Sequence, residues 1–100
     1  MSALPLAGKV AVVMGAAGRD NMAQAIAARL HADGARIVVG GRHGQELERF
    51  AGSIDGAWAL CDMTDEAQLA ALMDTAVTRF GGLDIAINAT GWGLLKPFLD

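Results

Sequence analysis

From Lys9 to Met14 the chain reads KVAVVM, a near-continuous apolar run of strand length. Such a run suits a strand covered on both faces, as in a parallel sheet, rather than one with an alternating wet face. A turn of glycine and alanine follows, and then Met22, Ile26 and Leu30 recur at helical spacing, with Gly34 placed to end the helix. The pattern then repeats in kind. Arg36 to Gly40 (RIVVG) reads as a second strand, Gln45 to Ala51 as a short helix carrying Leu47 and Phe50, and Ala57 to Cys61 (AWALC) as a third strand. Thr64 is placed to cap the next helix, with Asp65 and Glu66 in its first turn, where negative charge meets the positive end of the helix dipole. Leu69, Leu72, Met73, Ala76 and Phe80 follow at intervals of three and four, Gly81 and Gly82 stop the helix, and Leu83 to Asn88 (LDIAIN) forms strand four.

Strands alternating with helices predict an α/β fold, a doubly wound parallel sheet with strand order 3-2-1-4. A sheet ending at strand four has one open edge and lacks the helices that should cover one face near it, which invites association. The 100 residues are therefore expected to form the N-terminal part of a longer domain, cut after the strand-four loop.

Composition narrows the chemistry. With 53% hydrophobic and 19% charged residues the chain can bury a core and is not a polar linker. Eight basic against eleven acidic side chains give −3, with Lys and Arg scattered, which argues against a nucleic-acid surface or a polybasic membrane patch. The single cysteine, Cys61, forms no internal disulfide or metal cluster and reads as an inert core thiol in a reducing compartment. Apolar runs fall short of the ~18 residues of a membrane span, and the start lacks a secretory pattern, so a soluble, cytoplasmic protein is expected. There is no tyrosine, and Lys9 and Lys96 are the two lysines, so a mechanism needing a Tyr and Lys pair cannot be housed in these residues.

Strand one runs into Gly15-Ala16-Ala17-Gly18-Arg19-Asp20-Asn21-Met22-Ala23 and then a helix. Backbone amides at a helix N-terminus carry partial positive charge, and small residues before them let a pyrophosphate approach closely. The dinucleotide pattern G-x-G-x-x-G is not present literally, and small residues also serve close packing of helix on strand.

These features occur together. LAGKVAVVMGAAGRDNMAQAIA, a basic residue after strand two, CDMTDE after strand three and LDIAINATG along strand four resemble the first part of a short-chain dehydrogenase/reductase, from about Leu6 to Asp100. The resemblance implies a Rossmann-like fold binding a nicotinamide dinucleotide. The family's main branch has Thr-Gly, three residues, then Gly-x-Gly; here Met14 stands for the Thr, Gly15 matches, and Asn21 and Ala23 stand for the later glycines after a loop two residues longer. That loop is similar to the enoyl-acyl-carrier-protein reductases, whose Ser-Ile-Ala corresponds to Asn21-Met22-Ala23. Gly15, Ala16, Asn21 and Met22 are thereby implied as phosphate and ribose contacts.

After strand two, members that use NAD usually carry an acidic residue for the ribose 2′-hydroxyl. Gly41 stands there and Arg42 follows, which implies preference for NADP(H), with NAD(H) still possible; an arginine fork suits a 2′-phosphate. His43 is placed to assist, or is a lone exposed histidine. Asp62 matches the family's acceptor of the adenine amino group, with the Met63 backbone beside it, and is also placed to cap the following helix. Asn88-Ala89-Thr90-Gly91 stands where the family has Asn-Asn-Ala-Gly; Asn88 is expected to tie adjacent strands, and Ala89, Thr90 and Gly91 to line the ribose and nicotinamide half. This last motif is closer to the main branch than to the enoyl reductases. Trp92 falls at the substrate mouth or packs after the strand.

For the whole protein the resemblance implies hydride transfer between NADPH and a carbonyl, hydroxyl or enoyl substrate, with the acid tyrosine and its lysine outside these residues, and a homo-oligomer. Two other readings stand beside it. One is a non-catalytic nucleotide-binding or assembly module whose open edge meets a partner or its own copy. The other is a methyltransferase, disfavoured because Gly41 and Arg42 occupy the place of its usual acidic ribose ligand.

Overall fold

The computed structural model describes residues 4–15, 22–62 and 64–88. Among them the elements run β1 (Val10–Met14), α1 (Met22–Ala32), β2 (Arg36–Gly41), α2 (Gly44–Ser53), β3 (Ala57–Leu60), α3 (Glu66–Phe80) and β4 (Ile85–Asn88). All strand pairs are parallel and the order is β3-β2-β1-β4, as the sequence pattern predicts.

β1 lies centrally, bonded to β2 on one side and β4 on the other, and all five of its residues are buried. Because side chains alternate along a strand, its residues divide between two cores. Ala11 and Val13 join Ala23 and Ala27 of α1 and Leu47, Phe50 and Ala51 of α2 on one face. Val10, Val12 and Met14 join Leu72 and Ala76 of α3 on the other. The apolar run without a polar alternate is thus explained by cover on both faces.

α1 differs from its expected packing. Met22 is 72% exposed and Ile26 and Leu30 are only half-buried, while Ala23, Gln24 and Ala27 form the buried face. Small side chains thus make the buried face, leaving the larger apolar residues to the flank. The segment before β1 then packs on the turn after α1: Leu6 N–H donates to the Asp33 carbonyl at 2.8 Å. Gly34, at φ +103°, makes that turn, and a Cβ there would lie 2.9 Å from the Leu4 Cβ.

α3 is capped by Asp65, not by Thr64. Its carboxylate accepts from the backbone N–H groups of Ala67 and Gln68, and Asp65 has the extended conformation a cap requires. Thr64 is occupied elsewhere, donating both its N–H and its hydroxyl to Asp62. Asp62 therefore closes the turn ahead of the helix and does not cap it. At the other end Gly81, in the left-handed region at φ 86°, returns its N–H to the Val77 carbonyl. Opposite α3, Gly40 in β2 leaves room for Leu72; a Cβ at Gly40 would meet Leu72 Cδ2 at 2.6 Å.

Candidate functional site

Parallel pairing brings the four strands to an end together. The register sets Met14 opposite both Gly40 and Asn88, and Gly41 opposite Leu60. Gly15, Arg42, Asp62 and Asn88 follow or close those strands, so residues spread over more than seventy positions line one edge of the sheet. The chain order reverses across β1, between β2 and β4, and that is where open α/β sheets leave a crevice beyond the strand ends.

Gly15 begins this edge. Its φ is +90°, which side chains with a Cβ seldom adopt, and its N–H donates to the Gly40 carbonyl at 2.8 Å, so the chain leaves β1 tied to β2 before turning. Met22 opens α1, exposed, with no acidic residue in the helix's first turn to oppose an anion.

At the end of β2, Gly41 is buried and Arg42 is exposed, immediately ahead of α2. His43 is also exposed and occupies the N-cap of α2 without a side-chain capping bond. Cys61 leaves β3 with its N–H on the Gly41 carbonyl at 2.7 Å, which holds the following Asp62 beside the β2 end. The Cys61 thiol is buried, and burial, followed by the negative charges of Asp62 and Asp65, pushes its pKa up; it is a poor nucleophile, as an inert core thiol should be.

Asp62 is the more polarised group. Its Oδ1 accepts from Thr64 N–H at 2.9 Å and from the Thr64 hydroxyl at 2.7 Å. The backbone bond and then the side-chain bond from Thr64 hold its pKa below the usual carboxylate value, against an opposing effect of desolvation, and the positive charge of Arg42 adds the smallest contribution. Asp62 is thus a fixed carboxylate with a cation near it. Gln68, which sequence reading passed over, supports the same turn from α3: its Oε1 accepts the Asp62 N–H at 2.7 Å.

Asn88 ends β4 exposed, opposite Met14. The structure therefore brings Gly15, Met22, Arg42, Asp62 and Asn88 to one end of the sheet. Ala16, Asn21, Met63, Ala89, Thr90 and Gly91 lie outside the described residues, as does Trp92. A second group missed in the sequence joins the two helices on this edge. Gln24 of α1 donates from Nε2 to Glu46 Oε2 of α2 at 3.0 Å, and Arg49 donates from Nε to both oxygens of Glu46 at 3.1 Å and from Nη2 to Oε2. Among the described residues no cluster of His, Cys, Asp and Glu is arranged to hold a metal ion, and no helix is long and apolar enough to cross a membrane.

Comparison with known proteins agrees with this architecture. The family model described as enoyl-(acyl carrier protein) reductase matches residues 15–100. A reductase of Mycobacterium tuberculosis named for (5R,7aS)-5-hydroxy-7a-methyl-1-oxo-2,3,5,6,7,7a-hexahydro-1H-indene-carboxyl-CoA is 36% identical over 101 residues, covering 95% of this chain and 38% of its own length. The hydroxysteroid dehydrogenase of Escherichia coli superposes with a TM-score of 0.76 at 32% identity, over 95% of this chain and 42% of its own. A variant of the actinorhodin polyketide ketoreductase solved with NADPH gives 0.73 at 27% identity, over 80% of this chain and 32% of its own. The chain thus spans about two fifths of the length of such relatives. With its parallel order β3-β2-β1-β4, its left-handed glycine after β1 and a family match running from that glycine to Asp100, the chain belongs to the short-chain dehydrogenase/reductase family.

Proposed function

We propose that these residues are the dinucleotide-binding portion of a longer, NADP(H)-dependent oxidoreductase acting on a carbonyl, hydroxyl or enoyl substrate. The observation that carries the proposal is the pairing of charges at the strand ends: Arg42 exposed after β2, where a carboxylate would favour the unphosphorylated ribose, and Asp62 held ionised after β3. This donor set suits a 2′-phosphorylated adenosine. The Arg42 guanidinium would hold the phosphate by charge-assisted bonds, and Asp62, with Oδ1 engaged by Thr64, would accept the adenine amino group on Oδ2. Gly15 and the start of α1 at Met22 would receive the pyrophosphate, with Ala16 and Asn21 between them, the backbone of Met63 beside the adenine, and Asn88, Ala89, Thr90 and Gly91 under the ribose and nicotinamide half.

When bound, the nicotinamide supplies or takes up the hydride. These residues do the binding and orienting: an exposed cation at one end, the glycine after β1 near the middle and the end of β4 toward the reacting half. The proton donor lies beyond them in this reading, since the chain has no tyrosine. NADPH among solved relatives supports the cofactor class, the ketoreductase being solved with it. A cytoplasmic homo-oligomer completes the proposal.

The test is titration of the full-length protein with NADPH and NADH, followed by nicotinamide fluorescence. NADPH should bind tighter, and Arg42→Ala should weaken NADPH by roughly ten- to hundredfold, the range expected for one or two charge-assisted bonds, while changing NADH little. Equal losses for both cofactors would remove the 2′-phosphate assignment. Binding without turnover of carbonyl, hydroxyl or enoyl compounds would favour the non-catalytic module instead.

A further inference from the structure

The one buried polar side chain among the described residues is Gln24, 7% exposed on a helix face otherwise made of alanine. A buried amide is costly unless it is bonded, and Gln24 is bonded to a group that itself needs company. Glu46 has a side chain only 15% exposed, and its carboxylate takes the Gln24 amide and the Arg49 guanidinium together. The three side chains thus link the first turn of α1, the first turn of α2 and the second turn of α2.

Their placement matters because of what lies just before each first turn. Met22 opens α1 two residues ahead of Gln24, and the β2–α2 connection carrying Arg42 and His43 runs into Gly44, two residues ahead of Glu46. The start of α2 has no side-chain cap, so its first turn lacks the usual local anchor. It is held at the rear by Leu47, Phe50 and Ala51 in the core and at the front by Glu46, whose negative charge also suits a helix N-terminus. Leu47 N–H in turn donates to the His43 carbonyl at 3.1 Å, so the loop carrying Arg42 moves with that first turn.

We propose that Gln24, Glu46 and Arg49 form a brace that positions the β2–α2 loop against α1, holds Arg42 where a 2′-phosphate meets it, and so sets the preference for a phosphorylated dinucleotide. The inference rests on the reading of Arg42 given above. All three are positioning residues. Arg49 has a further part: by neutralising Glu46 it keeps a carboxylate from opposing the arriving phosphate.

The experiment measures Kd for NADPH and for NADH on the full-length protein and its variants. Gln24→Glu sets two carboxylates against each other; the charge it adds in the first turn of α1 lowers both affinities alike, and beyond that shared loss the preference for NADPH over NADH should fall about tenfold, the scale on which residues outside a ligand's contacts alter affinity. The exchange Gln24→Glu with Glu46→Gln rebuilds the bond with donor and acceptor reversed but leaves Arg49 facing an amide, so it should recover part of the ratio lost in Gln24→Glu; no recovery overturns the brace. A purely structural role predicts something else: equal weakening of both cofactors, or a lowered Tm with the ratio intact. Either result overturns the brace. Should Gln24→Glu fail to fold, Gln24→Met keeps the volume and removes the donor, and the same ratio should fall about threefold; an unchanged ratio overturns the proposal. Arg42→Ala run alongside separates the two ideas. If it leaves the ratio unchanged, the 2′-phosphate reading and the brace that depends on it both fall. If it collapses the ratio and Gln24→Glu does not, the reading stands and the brace alone falls.

Discussion

α1 and α3 cover opposite faces of the same strands and do so by different means. α3 presses a fully buried Leu72 into the space left by Gly40 and surrounds it with half-buried Leu69, Met73 and Phe80. α1 buries alanine at positions 23 and 27 and one glutamine. α3 fills the space over its face with large side chains, and α1 fills its own with small ones. Volume gives the α3 face its cohesion, and the small buried face of α1 makes the helix position sensitive to any added volume. The comparison assigns stability chiefly to α3 and positioning chiefly to α1.

The largest expected effect attacks that division directly. Leu72→Ala should destabilise the protein by about 2–5 kcal/mol in urea unfolding, because the cavity at Gly40 has no side chain to collapse into it. A loss below about 1 kcal/mol would mean that α3 does not carry the weight given to it here. Next comes the reverse substitution on α1. Ala27→Leu, at a position with no exposed surface, should cost about 1–3 kcal/mol by overpacking, and by lifting α1 should weaken both nicotinamide cofactors together. Full stability with unaltered cofactor binding would show that α1 does not depend on its small buried face. The smallest effect concerns the turn that leads into α3. Because Thr64 holds the Asp62 pKa below its ordinary value, that bond's contribution is present above the unfolded pKa, near 3.8, and is lost as pH falls through the folded value. The stability difference between wild type and Asp62→Asn should therefore shrink when the urea midpoint is followed downward from about pH 5. A difference that stays constant would remove the Asp62–Thr64 bond as its cause.

The same pair of helices shows what was legible in the sequence. Leu69, Leu72, Met73, Ala76 and Phe80 are strongly apolar at regular spacing, and the face they mark is the buried one. Met22, Ile26 and Leu30 mark an equally regular stripe that lies to the flank, because alanine adds little to a hydrophobic pattern although it forms the buried face. Thr64 and Asp65 are both good caps, and only the claim of Asp62 on Thr64 decides between them. β1 was legible because burial on two faces leaves a continuous apolar run, and the strand order because alternating elements permit few others. Gly15, Arg42 and Asp62 are marked out by the family resemblance, and their common place at the strand ends follows from the strand pattern. Gln24 and Glu46 could not be named: they are 22 positions apart, neither belongs to a motif, and a glutamine in an alanine-rich helix gives no sign of burial until its partner is seen.

The place of β1 in the sheet also bears on how the chain is made. Among the described strands it comes earliest in the chain and is buried throughout, and its partners Arg36 to Gly40 and Ile85 to Asn88 arrive at very different times. At about 5–20 residues per second on the ribosome, the edge of β1 that will receive β4 waits on the order of seconds after β2 has docked. During that interval a row of unpaired backbone groups flanked by valines is open to other nascent chains. Variants that slow the emergence or docking of β4 should therefore lower soluble yield before they lower the stability of molecules already folded, and a chaperone that shields apolar strands should act on this protein during synthesis rather than after it.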